Sequence, residues 1–451
     1  MSKWKSSRLG DISEMCLGKM LDKEKNKGEF QPYLANINVR WGSFDFRNLN
    51  MMRFEKSDRD RYGLQFGDLI ICEGGEPGRC AIWKGAVPEM KIQKALHRVR
   101  VRDNYSNQFV YYRFLLAGRN GELEKHFIGS TIKHLTGSAL KQVEFTFPSL
   151  SDQQQIAAVL STLDSKIELN NRINTELEAM AKTLYDYWFV QFDFPFDFAS
   201  TSLSTNAQGK PDKDGKPYKT SGGKMVWNEE LKRDIPEGWN VEKMSEWITI
   251  DKSGDWGKEE AEGNFTKQVV CFRGADINGL NGLAELKPPV RYILEKNSFK
   301  ILKSHDLIIE ISGGSPTQST GRLAFITDAT IKRFDHPLIC SNFCKPISIK
   351  NKKLLYNFVY YWNSLYDSSV FFGYEGKTSG IKNLLLDSFV SSYYTVVPDE
   401  KIVNQFYDIM ENIQEKKQTA LAENQTLSEL RDWLLPMLMN GQVQVTPSPQ
   451  A

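Results

Sequence analysis

Short apolar runs and period-two alternation dominate the first 148 residues. Leu69-Ile70-Ile71-Cys72 reads as a strand ending at Gly74-Gly75, and Cys80-Ala81-Ile82-Trp83 reads as the next. His97 to Val101 alternates with period two, Asn107 to Leu116 is a predicted helix, and Gln142 to Phe147 is a closing strand stopped by Pro148. From Ser151 or Asp152 the rhythm changes to steps of three and four, through Ile156, Val159, Leu163, Ile167, Ile173, Leu177, Met180 and Leu184. That spacing predicts one amphipathic helix, capped at its start and roughly 55–60 Å long. Its seam breaks at Asn170, and a helix of that length needs a partner along the seam.

The whole pattern then returns. Trp4 and Leu9-Gly10-Asp11-Ile12 recur as Trp239 and Met244-Ser245-Glu246-Trp247, and Gly67 to Ile71 recurs as His305 to Ile309. Phe109-Val110-Tyr111-Tyr112 recurs as Phe358-Val359-Tyr360-Tyr361, and Thr131 to Leu135 as Gly380 to Leu384. A second long helix is predicted from Asp399 to Met439, with seam residues Ile402, Phe406, Ile409, Ile413, Ala420, Leu427, Leu430 and Leu434, ended by Pro436 and Gly441. The two helices align without a gap at an offset of 246, whereas the offset drifts between the strands. The scaffold is therefore alike in the two halves and the loops are not, and loops on a rigid frame carry recognition.

The predicted fold class is α+β: two repeated mixed domains, each followed by a long helix, with the helices packing as an antiparallel coiled coil about a pseudo-twofold axis. The expected divisions are a domain at 1–150, a long helix at 151–195, a polar linker at 196–236, a second domain at 237–398, a long helix at 399–441 and a tail at 442–451. The linker is assigned because Asp197 to Gly223 is almost free of apolar residues and rich in turn formers.

Composition narrows the class. No apolar stretch approaches the roughly 18 residues of a membrane span, and the polar start, Met1 to Gly10, has no signal-peptide core, so a cytoplasmic chain is expected. Six scattered cysteines without a Cys-x-x-Cys pair indicate reduced thiols. Cys340, Cys344 and His336 supply too few ligands for a zinc site. The net charge of +2 neither argues for nor against a nucleic-acid partner, because basic residues can be concentrated locally.

Catalytic signatures are missing: no Gly-x-Ser-x-Gly elbow, no His-Glu-x-x-His, no Asn/Asp-Pro-Pro-aromatic motif. Gly376-Lys377-Thr378 lacks the earlier glycine of a phosphate loop, since position 371 is Phe. Pro398-Asp399-Glu400-Lys401 resembles a nuclease signature in letters, but acids at a helix start serve the dipole. Gly74-Gly75-Glu76-Pro77-Gly78-Arg79 and the stretch from Gly313 to Arg322 occupy equivalent places. Each reads either as a strand connection or as a loop whose amides and final Arg approach phosphate or a base.

Three stretches, in this order along a duplicated chain, carry a family resemblance: Pro148-Ser149-Leu150-Ser151-Asp152-Gln153-Gln154-Gln155-Ile156, Gly215 to Trp227, and Leu430-Arg431-Asp432-Trp433-Leu434-Leu435-Pro436. The chain resembles the specificity subunit of a type I restriction-modification system. The second helix departs from the pattern by lacking the Gln-rich start. The resemblance implies that each globular repeat is a target recognition domain reading one half of a split, asymmetric DNA sequence, with the helices as the ruler between half-sites. It implies no catalysis in this chain. Two modification subunits would methylate adenine with S-adenosylmethionine, and two restriction subunits would cleave double-stranded DNA with ATP and Mg. A coiled-coil assembly scaffold and an enzyme with an unfamiliar site are the competing classes.

Reading base edges and phosphates needs Arg, Lys, Asn, Gln and small polar groups. The candidates in the first half are Asn36, Asn38, Arg40, Trp41, Arg79, Lys91, Gln93, Lys94, Thr131, Lys133 and His134. In the second they are Arg273, Asp276, Asn278, Gln318, Arg322, Lys377, Thr378, Ser379, Lys382 and Asn383. Lys133 and Lys382 recur at one place in both halves. Asn170 falls on Lys416 at the 246 offset, so midpoint-to-midpoint packing predicts that these two form a polar layer fixing helix register. The aromatic run from Tyr185 to Phe196, with Trp433-Leu434-Leu435, is expected to be mostly core.

Overall fold

The computed structural model describes residues 4–22, 26–47, 49–197, 215–284, 286–315, 317–378 and 380–445. The fold is of mixed helix and strand, in the α+β class. It divides into two compact units, Met1–Ile167 with Gln425–Ala451, and Glu168–Asn424. Among the described residues, no helix is long and apolar enough to cross a membrane.

In the first unit a four-stranded antiparallel sheet has the order Ser13–Leu17, Leu96–Val101, Leu69–Cys72, Cys80–Ile82. A smaller sheet places Glu29–Leu34 between Asn50–Phe54, antiparallel, and Lys91–Ile92, parallel. Lys5–Arg8 pairs with Glu144–Phe147 and closes the chain ends of the domain onto each other. The helix Asn107–Arg119 is wholly core-forming from Phe109 to Ala117, and Ser106 Oγ caps it by accepting the Phe109 N–H. The sheet strands read as continuous apolar runs because both faces are covered: Leu69 and Ile71 face one cluster, Ile70 and Cys72 another.

The second unit also holds a four-stranded sheet beside smaller ones. Its four-stranded sheet has the order Ile248–Thr249, Cys344–Ile349, Asp306–Glu310, Leu323–Phe325, and Phe265–Phe272 sits between Val290–Leu294, antiparallel, and Leu338–Cys340, parallel. Asn240–Lys243 pairs with Tyr394–Val397, and Leu355–Asp367 is the core helix. One hairpin, Glu375–Thr378 with Ile381–Leu384, also pairs with Ser312–Gly313.

The first long helix runs Leu150–Tyr185 and continues as a π turn, Asp186–Val190. Its cap is Ser149, two or three residues before the expected position: Ser149 Oγ accepts the Asp152 N–H at 3.2 Å. The second runs Glu400–Met439 behind the Asp399 cap, whose carboxylate accepts the Lys401 N–H at 2.9 Å. Pro436 does not stop it. Leu435, Leu438 and Met439 are buried in the first unit's core and hold one further turn, and the helix ends before Gly441 at φ +68°.

Asn170 does not meet Lys416. It is 3% exposed and donates to Glu423 Oε2 at 2.7 Å and to Asn424 Oδ1 at 2.9 Å. Further along, Asn174 donates to the Lys417 carbonyl, and Lys417 Nζ pairs with Glu178. The buried positions Met410, Gln414, Lys417 and Leu421 step by four, three and four, which turns Lys416 outward to solvent. The pairing runs in opposite directions along the two helices and is displaced from a midpoint match.

Of the expected polar linker, 198–214 lies outside the described residues, and the part that is described carries paired strands. Lys216–Pro217 pairs with Pro195–Phe196, and Met225–Asn228 forms a hairpin with Arg233–Pro236. Tyr218 is buried, stacked on Phe194 at 4.7 Å, and Phe194 in turn stacks on Trp239 at 4.8 Å. One aromatic side chain anchors a stretch that composition alone marks as loop. Tyr185, Trp188, Phe189, Phe192 and Phe194 are core, whereas Tyr187 and Trp433 are exposed.

Candidate functional site

In the first unit, three loops gather around a glycine pair. Asn36-Ile37-Asn38 is a 3-10 turn closing off the strand Glu29–Leu34. Asn36 Nδ2 donates to the Gly74 carbonyl at 2.7 Å, and Arg79 donates to the Asn36 carbonyl at 3.0 Å and to Glu76 at 3.1 Å. Trp41 Nε1 donates to the same Glu76 carboxylate at 2.6 Å. A Cβ on Gly75, whose φ is +74°, would stand 2.7 Å from Asn36 Nδ2, and one on Gly74 would meet the His134 ring at 3.1 Å. Glycine is thus required for the loops carrying Asn36, Trp41, Arg79 and His134 to close on one another. Thr131 and Lys133 are exposed on the loop that ends at His134. Arg40 lies at the surface, donating to the Ile37 carbonyl at 2.6 Å.

Two candidates have structural work instead. Asn38 is buried, its Oδ1 accepting the Ala35 N–H at 2.9 Å and its Nδ2 donating to the Asp45 carbonyl at 3.0 Å, so it builds the turn. Lys91 is only 2% exposed; its Nζ donates to Gln31 Oε1 and to the Glu89 carbonyl, and burial pushes its pKa down. It lies beneath the surface although the strand Lys91–Ile92 is at the edge of the smaller sheet, because Gly63 bridges to Lys91 on the strand's other side. Gln93 and Lys94 are half-buried just beyond, held by backbone bonds to Leu34 and Lys19.

The second unit has a turn with the same hydrogen-bond pattern and other residues. The turn Gly274–Asp276 matches Asn36–Asn38, with Asp276 accepting the Arg273 N–H at 2.9 Å as Asn38 accepts that of Ala35. Arg273 also grips Asp276 through two side-chain bonds of 2.8 and 3.0 Å. Asn278 is half-buried, its carbonyl accepting the Leu283 N–H. Arg322 makes two bonds of 2.7 Å to Glu310. Lys382 is buried, unlike Lys133: its Nζ lies 2.9 Å from the Gln318 carbonyl and 3.1 Å from Glu375, above the Phe372 ring. Glu375 accepts both the N–H and hydroxyl of Thr320, which ties the hairpin to the loop before Arg322. Gln318 Nε2 reaches Tyr366, and Asn383 Oδ1 accepts the Ser312 hydroxyl. Lys377 and Thr378 stand in the strand Glu375–Thr378, while their side chains and Ser379 lie outside the described residues.

The carboxylates Glu76, Glu310 and Glu375 pair with candidate residues and were passed over by sequence reasoning. A search for DNA-contacting types discards acids, yet these three hold the cations in place. The one available signal was Glu76 three residues before Arg79 in a glycine-rich loop. Among the described residues, no three His, Cys, Asp or Glu side chains gather to hold a metal ion. Cys340 and Cys344 are buried, and burial pushes the Cys344 thiol up to about 12. The arrangement displays hydrogen-bonding groups and anchored cations on two loop clusters.

Comparison with known proteins agrees with the resemblance read from sequence. Over 384 residues the chain is 23% identical to the type I restriction enzyme MjaIX specificity subunit of Methanocaldococcus jannaschii, covering 84% of this chain and 78% of that protein. It is 22% identical to the type I restriction enzyme HindI specificity subunit of Haemophilus influenzae, covering 98% of this chain and all (100%) of that one. The crystal structure of a type I restriction-modification system S subunit from M. genitalium shares the fold, with a TM-score of 0.52 at 16% identity over 97% of this chain and 96% of that chain. Residues 1–179 match the type I restriction modification DNA specificity domain, so the chain is similar to type I specificity subunits in sequence and in fold.

Proposed function

We propose that the chain is the non-catalytic DNA-specificity subunit of a type I restriction-modification complex, reading a bipartite, asymmetric target. The observation that carries this reading is the recurrence of one loop geometry on two sheets of the same strand order, with different side chains displayed on each. A shared frame with unlike loops suits two readers of one kind and different specificity. The two units are taken as repeats, and the long helices as an antiparallel coiled coil that sets the distance between half-sites. Asn36, Arg40, Trp41, Arg79, Thr131, Lys133 and His134 form the first reading surface, and Gln318, Arg322, Lys377, Thr378, Lys382 and Asn383 the second. The complex is cytoplasmic, with two modification subunits that use S-adenosylmethionine and two restriction subunits that use ATP and Mg; no cofactor is assigned to this chain.

The test is retention of duplex DNA by the chain purified with its modification subunit. Affinity falling steeply with salt is expected if phosphates dominate. Absent or salt-insensitive binding refutes the proposal and favours a protein-assembly scaffold, and methylation by the chain alone favours an enzyme.

A further inference from the structure

Two loop tips, one in each unit, are anchored alike. In the first unit Ile128 and His134 exchange backbone bonds of 2.8 and 2.9 Å, which closes a loop over 129–133. In the second, Thr378 pairs with Ile381 at the end of the hairpin made by Glu375–Thr378 and Ile381–Leu384. Behind each tip lies a buried leucine, Leu135 or Leu384. Leu135 donates its N–H to the Glu73 carbonyl at 2.7 Å, and Leu384 donates to the Ile311 carbonyl at 2.8 Å. Glu73 directly follows the strand Leu69–Cys72, and Ile311 directly follows Asp306–Glu310. Each of these strands is third in the order of its four-stranded sheet, so the two tips hang from the same strand end by the same bond.

Three residues before each anchor stands an isoleucine. Ile132 is 64% exposed and Ile381 is 41% exposed. Among the described residues, neither belongs to a hydrophobic core. Their neighbours differ: Lys133 is exposed where Lys382 is buried, and His134 stands where the second unit has Asn383. A single exposed apolar residue is ordinary on any surface. The same residue at the same anchored place on both sheets, among neighbours that have changed, is more than a solvated loop requires. Its β-branched side chain is also stiff, so little rotamer freedom is lost when it is covered.

We propose that Ile132 and Ile381 each contact the 5-methyl group of a thymine, one in each half of the DNA target. The proposal rests on reading the chain as a DNA-specificity subunit. Of the four bases, only thymine presents an apolar group at its edge, and it does so in the major groove. The minor groove shows acceptors common to both orientations of an A·T pair and offers an isoleucine nothing to read. The polar groups beside the tips, Thr131, Lys133 and His134 in one unit and Asn383 in the other, suit phosphates and hydrogen-bonding base edges. The isoleucines add the one kind of readout that those groups cannot perform.

The test starts from the duplexes that the full-length chain and its modification subunit select from a random-sequence library. Deoxyuridine then replaces thymine, one position at a time in each half-site. It keeps every hydrogen-bonding edge of thymine and removes only the methyl group. The wild type should bind about fourfold more weakly for the contacted methyl in each half-site, the effect of burying one such group. Ile132→Ala should erase that loss in one half-site and keep it in the other, and Ile381→Ala should do the converse. Both changes are at exposed positions, so the melting midpoints should match the wild type. Selection of no sequence refutes the reading of the chain as a specificity subunit, and this proposal with it. Three outcomes overturn the proposal and leave that reading standing: selected half-sites without thymine, a wild type indifferent to deoxyuridine, or a variant that keeps the full methyl effect in both half-sites. The last, if binding also weakens, marks the isoleucine as a wedge between base steps.

Discussion

Replacing Asn170 with leucine separates stability from register. Asn170 is buried and donates to one carboxylate, Glu423, and one amide, Asn424. Losing the bond to a charged acceptor costs about 1.5–3 kcal/mol and the neutral one about 0.5–1.5 kcal/mol. A buried leucine returns about 1.5–3 kcal/mol by leaving water. Glu423 is exposed, so water takes up its freed carboxylate. The terms nearly cancel, and the melting midpoint of Asn170→Leu should move little. Register is another matter, because a leucine seam tolerates sliding and a polar layer does not. A slip of one helical turn is about 5.4 Å, against about 3.4 Å per base pair, so spacers longer or shorter by about one to two base pairs should become acceptable. The assay selects bound duplexes from a random-sequence library with the chain and its modification subunit, and compares the spacer distribution with that of the wild type. A variant as stable as the wild type and still confined to one spacer length refutes the idea that Asn170 fixes the register.

Asp164 accepts from Tyr112 at 2.6 Å and Arg431 at 2.8 Å, so Asp164→Ala should unpair the Tyr112 hydroxyl, leave Arg431 with Asp432 alone and destabilise the first unit by about 1–3 kcal/mol, read by calorimetry. Lys133→Ala, at an exposed loop position, should lower the salt slope of DNA binding by about 0.9 with the fold intact. Lys382→Ala should instead loosen the hairpin tied through Glu375, seen as faster amide exchange at Thr320. The Arg47 guanidinium holds Asp45 at about 2, below the ordinary 3.8. The pair's small contribution should therefore be whole above about 3.8 and lost as pH falls through about 2. Arg47→Ala should return the Asp45 carboxyl titration, followed by NMR, to the ordinary range.

The elements marked by periodicity were legible to within a few residues. The predicted helix at Asn107 is found as Asn107–Arg119, and the strand Leu69–Cys72 is found as expected. Local patterns suffice there because both elements are buried on almost every face. The smaller sheets were not legible: Glu29–Leu34 and Asn50–Phe54 carry too few apolar residues in alternation to announce themselves, and their pairing is non-local. The loop placement of the candidate residues was legible, but not which of them are buried. Lys91 and Asn38 look like surface polar residues in the sequence, and only the strand pairing above Lys91 and the turn around Asn38 bury them. Helix register could not be read at all, since the 246 offset fixes which residues are equivalent but not which ones face each other. That depends on which seam residues turn inward, and Lys417 rather than Lys416 does so.

Arg79, Arg273, Arg322 and Lys382 each share their charge with a carboxylate, while Lys133 faces solvent. Under the proposed function this divides the work of DNA association. A phosphate approaching the paired cations meets neutral pairs, which displace few of the counterions condensed on DNA. Long-range attraction then comes mainly from exposed lysines such as Lys133, which set the rate of encounter and its sensitivity to ionic strength. The paired loops arrive already held in shape by their own acids, so less conformational entropy is lost on docking, and their contribution appears in how slowly the complex lets go.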